Sequence, residues 1–155
     1  MEYKFSNRMS LLKGSEIREL MALTARPEVI SFAGGMPAPE LFPCEAVKEA
    51  CVEVMDEMGQ RALQYMPTEG LVTLREKIVK RMEDKLHIKT DAAHVLLTSG
   101  SQQGLDFSAR VFLNPGDVVL CESPSYLGAL NAFNAYEPTF VEVPTDDGGL
   151  IPEEL

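Results

Sequence analysis

Positive charge is scarce in this 155-residue chain, which has 14 lysines and arginines against 24 aspartates and glutamates, giving a formal net charge of −10. Such a charge repels nucleic acid and anionic membranes, and no basic stripe offsets it. Long hydrophobic runs are also missing, since none approaches the roughly 20 apolar residues that a membrane-spanning helix needs. Neither nucleic acid nor a membrane is therefore expected as a partner.

Cysteine is rare as well, with 3 residues at Cys44, Cys51 and Cys121. They are odd in number, and their spacing matches no metal-ligand pattern, so we expect no metal site. The segment from Met1 to Arg8 lacks the apolar stretch of a secretory signal. These features predict a protein of the reducing cytoplasm.

Apolar residues make up 45% of the chain, enough for one ordinary core. In the first 90 residues their spacing is mostly helical. It predicts a short helix from Ser15 to Thr24, a second over about 44–58 and a third over about 69–85. Between the first two, the segment 30–39 contains too much glycine and proline for regular structure and is expected to be a shaped loop.

The periodicity also predicts which helix faces are buried. In the second helix the expected inward residues are Val47, Cys51, Val54 and Met58, with Gly59 ending the helix. In the third helix the expected apolar face consists of Leu71, Leu74, Ile78 and Met82.

After residue 94 the pattern changes to alternating strands and helices. Strands are predicted at 95–98, 118–122 and 139–143, with helices at 101–113 and 126–135 between them. This order and spacing predict a parallel sheet with right-handed crossovers, and hence an α/β fold class.

The last residues predict the first turn of another helix. Pro152 suits the first helical position, and Glu153 and Glu154 are acids that favour a helix start. A three-stranded parallel sheet also needs further strands to cover its faces and edges. We therefore expect the chain to be part of a longer protein.

Two loops follow predicted strands at their carboxyl ends, where open α/β sheets bind ligands. The first contains Gly100 and leads into a helix whose first N–H groups could hold an anion, with Ser99 and Ser101 adding hydroxyls. Alternatively, Gly100 only makes the turn and Ser101 only caps the helix. The second loop contains Tyr126, whose ring could stack on a flat heterocycle or simply cover the top of the sheet.

Four motifs together resemble fold-type-I pyridoxal-phosphate-dependent aminotransferases (class I/II): SFAGGMPAPELFP at 31–43, LQYMPTEG at 63–70, TSGSQQ at 98–103 and SPSYLG at 123–128. The branch they resemble contains 2-aminoadipate aminotransferase and kynurenine aminotransferase II. The resemblance implies that residues 1–40 form an N-terminal arm, a specificity helix and a substrate-covering loop. Residues 41–155 are then the first, incomplete part of the large domain that binds pyridoxal phosphate.

The resemblance assigns cofactor-binding roles to individual residues. Gly100, Ser101 and Gln102 correspond to the cup that holds the phosphate of pyridoxal 5′-phosphate, and Tyr126 corresponds to the aromatic residue stacked on its ring. Tyr65 corresponds to a tyrosine that reaches the phosphate of the neighbouring subunit, which implies a homodimer. Tyr65 could also simply pack within its loop.

The resemblance assigns substrate-binding roles to two further residues. Gly35 corresponds to a glycine in the loop over the substrate near its α-carboxylate, and Arg18 to an arginine that meets the distal carboxylate of aminoadipate. Gly34 and Gly35 could instead serve backbone shape alone. Arg18 could instead be a solvated partner of Glu16 or Glu19.

The implied reaction is transamination in amino-acid metabolism, from 2-aminoadipate, an aromatic or a similar amino acid to a 2-oxo acid such as 2-oxoglutarate. In the family the lysine that binds the cofactor, the aspartate at its ring nitrogen and the α-carboxylate arginine lie beyond the position of Leu155. No catalytic residue is therefore expected in this chain, which alone is expected to be inactive. His87 and His94 have no partner motif and are interpreted as structural or solvated.

Two alternatives remain open. A lyase with the same fold and cofactor would differ mostly in residues that this chain does not contain. An aminotransferase-like ligand-sensing domain of a transcription regulator would follow a basic DNA-binding domain. This chain is acidic and has only a short arm before Ser15, which disfavours the regulator.

Overall fold

The computed structural model describes residues 3–6, 8–11, 28–30, 32 and 35–155. The predicted helix at 15–24, with Arg18, lies outside the described residues. The chain divides into two compact units. We call Met1–Gly14 with Thr98–Leu155 the sheet unit, which includes the short helix α1 (Arg8–Leu11), and we call Ser15–Leu97 the helical unit.

The helical unit contains α2 (Cys44–Ala62) and α3 (Val72–Leu86). The predicted end of α2 at Gly59 is wrong, because a glycine inside a helix costs only about 1 kcal/mol and the helix continues through a kink at Met58, where φ is −144°. The helix predicted from 69 begins instead at Val72, because Gly70 has a φ of +97°, outside the helical region.

The predicted inward face of α2 is exposed. Within the described chain α2 contains no buried residue, and Val47, for example, is 56% exposed. Periodicity shows which residues share a face, but burial requires a second element against that face, and the described residues provide none there. The prediction of burial is therefore wrong for Val47, Cys51, Val54 and Met58.

The apolar face of α3 is covered in part, and it includes a charged residue. Leu71, Ile78 and Met82 are half-buried as predicted, whereas Leu74 is exposed. Arg75 lies on the same face and is only 8% exposed, the one charged side chain that is buried among the described residues.

The sheet unit is built from alternating strands and helices: α4 (Ser101–Phe112), β1 (Val118–Glu122), α5 (Leu127–Asn134) and β2 (Thr139–Val143). The two strands have the predicted bounds and pair in parallel, from Val118 opposite Thr139 to Glu122 opposite Val143. The parallel pair with a helix between its strands confirms the α/β fold class.

The predicted strand at 95–98 is wrong. Val95 has extended backbone angles of −115° and 123°, but the segment joins no ladder in the described part of the chain. Its Leu97 N–H donates instead to the Glu69 carbonyl over 3.0 Å. A strand requires a neighbouring strand for its hydrogen bonds, and a local sequence pattern does not reveal whether that neighbour is present.

Apolar burial in the sheet unit is centred on Ala109 of α4, Ala132 of α5 and Val143 of β2. Beyond β2, the strands β3 (Thr145–Asp146) and β4 (Gly149–Leu150) form a small antiparallel hairpin. A 3-10 turn at Pro152–Glu154 follows, where the sequence predicted a helical start.

A polar network joins α4 to the end of α5. The Tyr136 hydroxyl donates to Asp106 over 2.8 Å, and Arg110 contacts both partners, with Nε 3.3 Å from that hydroxyl and Nη2 3.1 Å from the carboxylate. The hydrogen bond with Tyr136 and, to a smaller extent, the charge of Asp106 raise the pKa of Arg110. Arg8 of α1 lies 6.0 Å from the centre of the Tyr136 ring.

Among the helices that the structure describes, none is both long and apolar enough to cross a membrane.

Candidate functional site

Gly100 immediately precedes α4 with φ of 78° and ψ of 175°, a backbone region that only glycine occupies readily. The loop holds this shape internally, since Gly100 N–H donates to the Thr98 carbonyl over 2.9 Å and Thr98 Oγ1 donates to the Gly100 carbonyl over 3.0 Å. A Cβ added at position 100 would meet no atom within 4 Å. Backbone conformation, not crowding, requires the glycine, and the space beside it is open.

The start of α4 presents hydrogen-bond donors at this open space. The first N–H groups of a helix, here those of Ser101 and Gln102, have no intrahelical acceptor. Gly100 has no side chain that could cap them. Backbone donors, the partial positive charge of a helix start and the Ser101 hydroxyl together suit an anion.

The loop around Tyr126 is connected to the start of α4 by a side chain. Gln102 Nε2 donates to the Gly128 carbonyl over 3.4 Å. Tyr126 is the residue before α5, and its ring lies so close to Gly128 that a Cβ there would be 2.6 Å from Cζ. The structure therefore brings Gly100, Ser101 and Gln102 together with the Tyr126 loop, and Gly128 leaves the room that the tyrosine ring occupies.

The other predicted site residues lie in the helical unit. Tyr65 follows α2 in a loop and is 97% exposed. Gly35 is exposed, with no atom within 4 Å of a Cβ built on it. Arg18 and Gly34 lie outside the described residues.

The donor set around Gly100 and Tyr126 suits a ligand with a phosphate at one end and a flat aromatic ring at the other. A phosphate fits the backbone donors at the start of α4, and an aromatic ring fits the face of Tyr126. In the part of the chain that the structure describes, no group of three or more His, Cys, Asp or Glu could hold a metal ion. His87 ends α3 with a left-handed φ of 57°, and His94 Nδ1 lies 3.0 Å from Asp91 on the surface.

Sequence reasoning missed Arg75. Its Nε donates to the Gly70 carbonyl over 3.2 Å and its Nη1 to the Ala92 carbonyl over 2.6 Å. The available signal was its place four residues after Leu71 and three before Ile78, on the apolar face of the helix, where an arginine is unusual.

Known proteins match nearly the whole chain. The family model for aminotransferase class I and II matches residues 27–154. Aromatic-amino-acid aminotransferase 1 from Thermococcus litoralis is 46% identical over 149 residues, covering 96% of this chain and 36% of that protein. The 2-aminoadipate transaminase from Thermus thermophilus is 47% identical over 138 residues, covering 89% of this chain and 33% of that protein.

A solved structure extends the likeness to three dimensions. The crystal structure of kynurenine aminotransferase from Pyrococcus horikoshii in complex with PMP superposes with a TM-score of 0.86 at 44% identity, over 96% of this chain and 37% of that one. The chain thus spans 33–37% of the length of these relatives.

Proposed function

This chain belongs to the class I and II aminotransferase family, and we propose that the full-length protein is a transaminase that uses pyridoxal 5′-phosphate. By the full-length protein we mean a polypeptide of its relatives' length that contains residues 1–155. It transfers an amino group from an amino acid to a 2-oxo acid such as 2-oxoglutarate. The observation that best supports this proposal is the conformation of Gly100 at the start of α4, which only glycine adopts readily. A hydrogen bond from Gln102 to Gly128 connects the same helix start to the loop that contains Tyr126.

The residues of this chain bind and orient the cofactor. The N–H groups of Ser101 and Gln102 and the Ser101 hydroxyl donate to the phosphate, and the ring of Tyr126 stacks on the pyridine. The side-chain amide of Gln102 is engaged with Gly128, so Gln102 contributes to the phosphate through its backbone. When bound, the cofactor supplies the electron sink that stabilises negative charge at the substrate α-carbon.

The lysine that binds the cofactor is proposed to lie beyond Leu155. Borohydride reduction of the full-length protein with pyridoxal 5′-phosphate, followed by peptide mapping, is expected to label a single lysine there. Isolated residues 1–155 are expected to show no transaminase activity. A single labelled site in an active protein would contradict the proposal if it fell on a lysine of this chain: Lys4, Lys13, Lys48, Lys77, Lys80, Lys85 or Lys89.

The full-length protein is further proposed to be a homodimer in which Tyr65 reaches the phosphate bound by the neighbouring subunit. The 97% exposure of Tyr65 supports this role, because its hydroxyl is accessible to a second chain. Tyr65→Phe is expected to weaken cofactor binding while sedimentation still shows a dimer. Tyr3→Phe, at another exposed tyrosine, is the matched control, and equal binding in both variants would remove Tyr65 from the site.

Residues 1–40 are proposed to form the arm, the specificity helix and the substrate-covering loop, with Arg18 at the distal carboxylate and Gly35 near the α-carboxylate. With Arg18 at the distal carboxylate, the expected substrates are 2-aminoadipate and aromatic amino acids. Arg18→Ala is expected to raise the KM for dicarboxylic amino acids about ten-fold more than that for leucine or phenylalanine. Equal losses for both classes would exclude Arg18 from substrate choice.

We further propose that the reaction belongs to amino-acid metabolism in the cytoplasm. Cys44, Cys51 and Cys121 are all unpaired, which supports a reducing compartment. Cell fractionation with an activity assay tests the location, and activity confined to a secreted or membrane fraction would contradict it.

A further inference from the structure

Gly128 leaves the space in which the ring of Tyr126 lies. A Cβ built on Gly128 would be 2.6 Å from Tyr126 Cζ, 2.7 Å from Cε1 and 2.7 Å from the hydroxyl oxygen. Carbon atoms in ordinary contact stand about 3.5–4.0 Å apart. Any side chain at position 128 would therefore overlap the tyrosine ring where it now lies.

The backbone on both sides of this contact is held by hydrogen bonds. The Tyr126 carbonyl accepts from the N–H groups of Ala129 and Leu130 over 3.0 Å and 3.2 Å. The Gly128 carbonyl accepts from Gln102 Nε2 over 3.4 Å. An overlap at position 128 would thus be relieved by the ring, which is the free end of a side chain, and not by the backbone.

The ring also has room to move, because Tyr126 is 67% exposed. An exposed side chain changes rotamer readily, so the movement would cost the fold little. Gly128 lies within α5, and alanine is a better helix former than glycine. Alanine at position 128 is therefore expected to preserve the stability of the fold while moving the tyrosine ring.

We propose that Gly128 is a positioning residue for the aromatic ring of the cofactor. Its lack of a side chain keeps the ring of Tyr126 in the position from which it stacks on the pyridine. The hydrogen bond from Gln102 connects this position to the N–H groups that hold the phosphate. This inference rests on the proposed function and adds to it a residue that acts through Tyr126. A purely structural glycine would affect stability without a selective effect on binding of the ring.

Gly128→Ala in the full-length protein is the first test. Three probes separate the two ends of the cofactor: pyridoxal 5′-phosphate, pyridoxal, which lacks the phosphate, and inorganic phosphate, measured as a competitor of pyridoxal 5′-phosphate. We expect the Kd for both aromatic ligands to rise about five-fold, as the loss of one aromatic stacking contact can do. Competition by inorganic phosphate is expected to be unchanged. The melting temperature of the cofactor-free protein is expected not to fall.

A double-mutant cycle with Tyr126→Ala tests whether Gly128 acts through the ring. Tyr126→Ala alone is expected to weaken binding of both aromatic ligands by about five-fold or more. Once the ring is absent, adding Gly128→Ala is expected to cause no further loss, because the effects of two residues in contact do not add.

Gly104→Ala is the matched control, at another helical glycine of the sheet unit. A Cβ there would be 3.8 Å from Thr98 Oγ1, which is an ordinary contact that displaces nothing. This substitution is expected to leave the affinities for all three probes unchanged.

Three outcomes would overturn the proposal. The first is an unchanged Kd for pyridoxal in Gly128→Ala, and the second is a loss of the same size with and without the Tyr126 ring. The third is a lower melting temperature or a failure to fold in Gly128→Ala, which would show that the backbone yields instead of the ring. Failure of the proposed function is recognised separately, because the unsubstituted protein would then bind neither aromatic ligand and show no transaminase activity.

Discussion

The two units of this chain are fixed by different kinds of interaction. In the described part of the sheet unit the buried residues are Ala109, Ala132 and Val143, all of them apolar. In the described part of the helical unit the buried residue is Arg75, held by carbonyl oxygens. Apolar burial has no preferred direction and tolerates small shifts, whereas hydrogen bonds weaken steeply when distance and angle change.

The difference indicates where each unit is vulnerable. The helical unit depends on the placement of a few backbone groups, so a change of backbone shape is expected to be most damaging there. The sheet unit depends on apolar volume, so it is expected to respond to the loss of buried carbon atoms. Substitutions at matched residues in the two units can separate these dependences.

The largest effect is expected for Gly70→Ala in the helical unit. Gly70 has a φ of +97°, and an added Cβ would lie 2.5 Å from Leu97 Cδ1. Backbone strain and forced overlap together are expected to cost about 3 kcal/mol. Hydrogen exchange at the Leu97 amide, which is bonded to Glu69, measures the loss as a lower free energy of local opening.

Gly116→Ala provides the control for that change in the sheet unit. Gly116 has a similar φ of +89°, but a Cβ there meets nothing within 4 Å. Only backbone strain remains, so we expect a loss of about 1 kcal/mol in the free energy of local opening. Hydrogen exchange at the Thr139 amide, which donates to the Asp117 carbonyl, measures this loss. Equal losses at positions 70 and 116 would show that contact with Leu97 has no part in the helical unit's stability.

An intermediate effect is expected for Val143→Ala in β2. Val143 is 2% exposed, and removing two buried carbon groups is expected to destabilise the strand pair by about 2 kcal/mol. Val118 lies in the paired strand but is 59% exposed, so Val118→Ala is expected to change the stability of the strand pair by less than about 0.5 kcal/mol. Hydrogen exchange of the amides that join β1 to β2 measures the loss of stability in each variant. Similar losses in the two variants would contradict the claim that apolar burial stabilises the sheet unit.

A smaller effect than that of Val143→Ala is expected for Tyr136→Phe. The substitution removes the hydroxyl that donates to Asp106 over 2.8 Å while keeping the ring. The same hydroxyl accepts from Arg110 Nε over 3.3 Å, and a net loss of about 1 kcal/mol is expected because both bonds lie near the surface. Thermal unfolding measures the loss against Tyr3→Phe, at an exposed position. A loss as large as that of Val143→Ala would place the polar network among the main supports of the sheet unit.

Much of the sheet unit could be predicted from the sequence because its signals are local. The local pattern of apolar residues after residue 94 predicted both strands at their observed bounds. The segment 95–98 and the face of α2 could not be predicted in the same way. Pairing and burial depend on a second element, and neither segment has one among the described residues.

The residue types of the candidate site could be predicted from the sequence, but the hydrogen bonds that connect these residues could not. Gly100 before a helix start is a strong local signal, and the observed φ of 78° gives its physical reason. The hydrogen bond from Gln102 to Gly128 joins residues 26 apart in the chain, and no periodicity indicates it. Arg75 was missed for the same reason, because its partner Ala92 lies 17 residues away.

The internal bonding of the Gly100 loop has a consequence for the thermodynamics of binding. Thr98 and Gly100 hold the loop through their own hydrogen bonds, so its order is established when the chain folds. Ordering a flexible backbone would otherwise oppose association by about 1–2 kcal/mol for each residue fixed. A phosphate ester that binds here meets donors already in place, and calorimetry is expected to show an association entropy without a loop-ordering penalty.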